Sequence, residues 1–222
     1  MFVISARHNR VRLAVCTAAL ALASLLLAPE PARAQFGPPA TTTVQDPSAL
    51  RPPAGSQVAI IEFVDLQCPD CADAAPMVRE AAAKYKIPLV RHDFPLPFHS
   101  WSFQAAVNAR WFDTKAKTLG DEYRDYVFAH QQEIKSSELL ASTTQTFASS
   151  HKLTFPVNPD PQGKLADMVK ADYALGQRIG VEHTPTIWVV SSRAKSTPFI
   201  EVIDRSRLFL LIEQAFGNTQ SH

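Results

Sequence analysis

"FVDLQCPDC" runs from Phe63 to Cys71 and ends in a pair of cysteines three residues apart. The residues before it, "QVAIIEFVDL" from Gln57 to Leu66, form a β-branched and aromatic run of the kind found in a strand buried on both faces. Those after it, "DCADAAPMVREAAAKYK" from Asp70 to Lys86, are Ala-rich with apolar positions at helical spacing and carry Pro76 inside. Cys68 and Cys71 therefore stand where a buried strand turns into a helix. Three readings compete for them: a structural bridge, half of a metal site, or a pair that exchanges electrons.

The rest of the chain narrows the choice. Its third cysteine, Cys16, lies in an N-terminal segment with Arg7, Arg10 and Arg12, then sixteen apolar residues from Leu13 to Ala28, then Ala32-Arg33-Ala34 before Gln35. That order reads as a secretory signal peptide over 1–34, cleaved near Ala34, with the mature protein periplasmic or secreted. The mature chain would keep two cysteines in a compartment that permits disulfides. Removing four basic residues (Arg7, Arg10, Arg12, Arg33) and Glu30 leaves 18 Lys+Arg against 20 Asp+Glu, a formal charge of −2. No clustered basic surface suggests a nucleic-acid partner. About 190 residues make one domain with a core of its own, which needs no staple, and a disulfide closing so short a loop adds little stability. No second C-x-x-C supplies further metal ligands.

Residues 35–56, "QFGPPATTTVQDPSALRPPAGS", are rich in Pro, Thr, Ala and Ser without apolar period, and read as a disordered tail. "IPLVRHDFPL", Ile87 to Leu96, reads as a second strand, so the domain opens with a β-α-β unit. From about 98 to 180 the chain reads almost wholly as helices. The last of these is expected to start at Asp160 as N-cap with Pro161 at N1. "TPTIWVV" and "PFIEVI" return to strand, and "RSRLFLLIEQAFG" is a closing helix stopped by Gly217. The domain thus spans 57–217 in the order β-α-β, helical block, β-β-α.

A cysteine in the first turn of a helix meets unpaired N–H groups and the positive end of the helix dipole, which favour thiolate. By that geometry Cys68 is the nucleophile, and Cys71, one turn in, is the resolving thiol. Glu62 shares a strand face with Val58, Ile60 and Val64, so burial and a raised pKa are expected of it.

This strand–C-x-x-C–helix resembles the active site of the thioredoxin superfamily, and the helical block between the two halves is similar to the DsbA-like branch. The resemblance covers roughly Gln57 to Gly217. It implies an α/β thioredoxin-like fold with an inserted helical subdomain, and thiol–disulfide exchange with protein substrates. Glu62, six residues before Cys68, would be the proton-shuttling acid. Pro76 matches the kinking proline, and Thr184-Pro185 the cis-proline element that takes substrate backbone. "HDFPLPFH", His92 to His99, is similar to the stretch leading into the insertion.

Pro69 and Asp70 between the cysteines and His183 before the cis-proline element would line the substrate groove. Where related strong oxidants carry Pro-His, Asp70 would oppose the thiolate by like charge and give a more reducing pair. Thr184 is closer to the isomerase and reductase branch, but those isomerases carry an N-terminal dimerisation domain for which this chain has no counterpart. The expectation is a monomer with no metal or organic cofactor, served by an unidentified membrane or soluble redox partner. The rival from another class is a non-catalytic Cu(I)-binding module using Cys68, Cys71 and His183.

Overall fold

The computed structural model describes residues 42–193 and 198–217. The expected signal peptide and the first residues of the tail lie outside them. The strand before the cysteines is β1 (Val58–Val64), buried at every position. It leads through a short turn into α1 (Pro69–Tyr85), which contains Pro76 and ends on Lys86 in the left-handed conformation. Next come β2 (Leu89–Asp93), four helices, α2 (Ser102–Asp113), α3 (Lys117–His130), α4 (Ser137–Ser150) and α5 (Lys164–Ile179), and then β3 (Thr186–Ser191) and β4 (Phe199–Glu201). A 3-10 turn, Arg205–Arg207, opens into α6 (Leu208–Phe216), stopped by Gly217 at a φ of 77°.

The sheet order is β2-β1-β3-β4. β1 pairs parallel with β2 and antiparallel with β3, and β3 pairs antiparallel with β4, which makes the sheet mixed. Because side chains alternate across a strand, β1 feeds two cores. Val58 and Ile60 pack with Ala74 and Val78 of α1 and Leu208 and Ile212 of α6. Ala59, Ile61 and Phe63 pack on the other face with Trp188 and Ile179. A third cluster joins Val64, Leu66, Cys68 and Cys71 to the helical block through Trp101, Phe112, Tyr123 and Phe147. The site thus lies where the sheet meets the inserted helices.

The α/β thioredoxin-like class with a helical insertion holds, and two local expectations do not. The tail expected to be disordered over 35–56 is ordered from Thr42 onward. Asp46 caps a 3-10 turn at Pro47–Ala49, Leu50 is fully buried, and the Gln45 N–H donates to the Ile179 carbonyl at 2.7 Å. A buried leucine and a few long-range hydrogen bonds offset the ordering entropy that composition alone suggested would prevail. The helix expected from Asp160 starts instead after Gly163, whose φ of 72° makes the N-cap. Asp160 still serves the helix from outside, its carboxylate accepting from the Ala166 N–H at 2.8 Å.

Candidate active site

Cys68 is the N-cap of α1, with φ −77° and ψ 121°. Pro69 takes N1, where its missing N–H costs nothing, so the N–H groups of Asp70 and Cys71 at N2 and N3 are left to face the N-cap side chain. A serine or aspartate there would accept them with oxygen. Here the side chain is a thiol that accepts no capping hydrogen bond, the Cys71 N–H donating instead to the Cys68 carbonyl at 3.1 Å, and the two N–H groups add to the preference for its ionised form.

The two cysteines are reduced and both are buried. Hydrogen bonding from the Cys71 thiol does most to lower the Cys68 pKa, to about 6, outweighing partial burial; the Thr184 side chain and the two backbone N–H groups add to it. Cys71 goes the other way. Its burial, followed by the same hydrogen bond and the charge of Cys68, pushes its thiol well above the ordinary value. The Asp65 N–H, 3.5 Å from the Cys71 sulfur, opposes this only weakly.

The loop before β3 closes the site from the opposite side. The Thr184–Pro185 peptide is cis. The Cys68 thiol donates to the Thr184 carbonyl at 3.3 Å, and the buried Thr184 hydroxyl has no other partner, so it is free to donate to sulfur once the thiol ionises. His183, the residue before, is exposed, and its carbonyl accepts from the Thr186 hydroxyl. Among the described residues no three His, Cys, Asp or Glu side chains are grouped so as to hold a metal ion.

Glu62 lies on the α1 face of β1, between Ile60 and Val64, and is 2 % exposed. Its carboxylate accepts from Arg91 Nε at 2.6 Å, and Arg91 Nη2 lies 3.2 Å from Asp125 of α3. Burial raises the Glu62 pKa despite that cation. The structure thus buries Glu62 as the alternation implied and adds a partner that the sequence did not announce.

Three further residues shape the site from outside the motif. Asp65, in the turn between β1 and Cys68, accepts from the Gln67 N–H, the Leu96 N–H, His99 Nδ1 and the Ser102 hydroxyl. It ties the cysteine turn to the "HDFPLPFH" segment and the start of α2. Gln131, just past α3, donates from Nε2 to the carbonyls of Leu66 and Cys68, each at 3.0 Å. Arg205, before α6, donates to the Asp70 carbonyl at 3.2 Å. An acid next to a C-x-x-C turn was a readable signal for Asp65. Nothing local marked Gln131 or Arg205.

A thioredoxin family model matches residues 54–200, most of the domain. The chain belongs to the thioredoxin family. Among solved structures it is similar to alpha-DsbA1 of Wolbachia pipientis, with a TM-score of 0.59 and 16% identity, covering 75% of this chain and 89% of that one. DsbA2 of Pseudomonas aeruginosa gives 0.55 and 16%, covering 77% and 95%. ScsC of Proteus mirabilis in a transitional conformation gives 0.56 and 14%, covering 74% and 70%. These likenesses establish a DsbA-like arrangement of the thioredoxin fold. A curated relative, the Na+/H+ antiporter NhaA 3 of Salinispora tropica, is 31% identical over 97 residues, which is 43% of this chain and 15% of that protein.

Proposed function

We propose that this chain is an extracytoplasmic thiol–disulfide oxidoreductase acting on protein substrates through Cys68 and Cys71. The observation that carries the reading is the opposed state of the two sulfurs: Cys68 favours thiolate near neutral pH, while Cys71 holds its proton behind it.

In the reducing direction the Cys68 thiolate attacks one sulfur of a substrate disulfide. The S–S bond breaks, one substrate sulfur leaves as thiolate, and a mixed disulfide forms on Cys68. Cys71 then gives up its proton and attacks the Cys68 sulfur. The second substrate thiolate leaves, and the Cys68–Cys71 disulfide remains. Two electrons pass to the substrate, and its two thiolates take up protons, one of them originating on Cys71. Glu62 is the residue we assign to move that proton. Its support is a buried carboxyl with a raised pKa on the strand face covered by α1. Run backwards, the same steps oxidise a substrate dithiol.

Thr184 and Pro185 face Cys68 from the other side of the cleft, so a substrate segment seated there would present its sulfur to the nucleophile. Pro69, Asp70 and His183 would border that segment. The chemistry needs no metal or organic cofactor, and a separate redox partner, membrane-bound or soluble, would reset the pair. The protein is taken to work as a monomer in the periplasm or outside the cell. Reduction of insulin and oxidative refolding of a scrambled substrate test the assignment, with Cys68→Ser losing both. Wild-type protein inactive in both assays across the range of glutathione ratios would overturn it.

A further inference from the structure

The acid between the cysteines has a fixed cation. Arg205 stands 135 residues from Asp70 in sequence. Its Nη1 donates to the Asp70 carbonyl at 3.2 Å, and its Nη2 lies 3.7 Å from Asp70 Oδ1. The arginine is not on a loose loop. It opens the 3-10 turn before α6, where Asp204 Oδ1 accepts from the Ser206 N–H at 3.0 Å and the Ser206 hydroxyl at 2.6 Å. Immediately beyond, Leu208 is fully buried in the cluster that holds Ala74 and Val78 of α1. Both ends of the contact are therefore anchored to the same core.

The pairing matters because Asp70 acts on Cys68 in two opposed ways. Its N–H, at N2, faces the N-cap sulfur and favours thiolate, while its carboxylate disfavours thiolate by like charge. A guanidinium held on the carbonyl and facing the carboxylate keeps the first effect and offsets the second. Other charged groups near the cysteines are Asp73 one turn along α1, and Glu182 and His183 on the exposed loop before Pro185. The Asp65 carboxylate is occupied by Leu96, His99 and Ser102.

Building on the redox reading of Cys68 and Cys71, we propose that Arg205 is a positioning residue: it fixes Asp70 in the first turn of α1 and cancels its charge at the nucleophile, thereby setting the redox poise of the pair. Since both side chains are partly exposed, at 37 % and 68 %, the effect is modest and salt-sensitive.

The test is a double-mutant cycle on the reduced full-length protein, following thiolate absorbance against pH in wild type, Arg205→Gln, Asp70→Asn and the double variant. At low ionic strength Arg205→Gln should raise the Cys68 pKa by roughly half a unit, and the rise should be largely lost in the Asp70→Asn background. High salt should shrink it, and Arg205→Lys should retain much of the wild-type value. Equilibrated against glutathione, Arg205→Gln should be about threefold less oxidising, or about 15 mV. An unmoved pKa in Arg205→Gln, or an equal rise with and without Asp70, would overturn the proposal. Insulin reduction by the same wild-type sample tests the functional reading separately. Absent exchange would sink that reading, whereas exchange with an unmoved pKa would sink only the role of Arg205.

Discussion

Stability of the reduced protein should carry the signature of Cys68. A thiol lowered from an ordinary value of about 9 to about 6 on folding stabilises the folded state wherever folded Cys68 is ionised and unfolded Cys68 is not. The contribution is complete above the unfolded value and is lost as pH falls through the folded one. Between about pH 5 and pH 8 it should grow by about 2.5 kcal/mol, from nearly nothing, as the folded thiol ionises ahead of the unfolded one. The perturbation is Cys68→Ser, which keeps the size of the side chain and removes the titration. Urea unfolding of both proteins under strong reductant, repeated across that range, gives a difference curve in which packing effects enter only as a constant. Cys71 has the opposite sign, since its folded pKa is raised, and its penalty begins only above about pH 9. It is present in both proteins and lies outside the window. A difference curve flat from about pH 5 to pH 8 would refute the lowered Cys68 pKa and, with it, the early ionisation of the nucleophile.

Other substitutions probe the frame around the site. Arg91→Ala leaves the Glu62 carboxylate buried without its cation and should cost about 3–5 kcal/mol in urea unfolding, whereas Glu62→Leu with Arg91→Met should cost far less. Gly176→Ala puts a Cβ 2.6 Å from two carbons of the Phe94 ring and should cost about 1–3 kcal/mol, read as a lower urea midpoint. Glu62→Gln should slow release of the mixed disulfide by Cys71, seen as a trapped Cys68 adduct in stopped-flow reduction, while leaving the Cys68 titration in place.

What the sequence revealed and what it concealed divide along the distance over which each feature is encoded. The β1 run, the C-x-x-C turn and the helix after it are consecutive, so hydrophobic period and capping chemistry expose them. The alternation along β1 likewise placed Glu62 on a buried face, because period 2 is a local property. Arg91, Gln131 and Arg205 reach the site only through tertiary packing, from β2, the end of α3 and the turn before α6. In sequence each looks like an ordinary polar residue, Arg91 in the middle of a strand and Gln131 and Arg205 at the edge of an element. The tail shows the same limit in reverse: composition argued for disorder, but one buried leucine and the Ile179 carbonyl gave it a place.

The division of labour between the cysteines follows from their mutual hydrogen bond and from the difference in burial that one turn of helix makes. Both are thiols in the same cluster, and each is touched by Thr184 and by the other. At the N-cap, the Cys68 pKa is lowered first by the hydrogen bond from the Cys71 thiol, with the Thr184 side chain and the N–H groups of Cys71 and Asp70 adding to it. At N3, Cys71 lies in the core, where a single distant N–H from Asp65 cannot repay the loss of water. Ionisation of Cys68 therefore comes first, while burial, the Cys68 hydrogen bond and the Cys68 charge hold the proton on Cys71. In the proposed exchange, attack of Cys68 on a substrate disulfide would remove the negative sulfur that adds to the effect of burial on Cys71, which eases the resolving step. Asp65 makes this order possible: its backbone serves the Cys71 sulfur while its carboxylate, bound to four donors, holds the turn that keeps Cys68 at the cap.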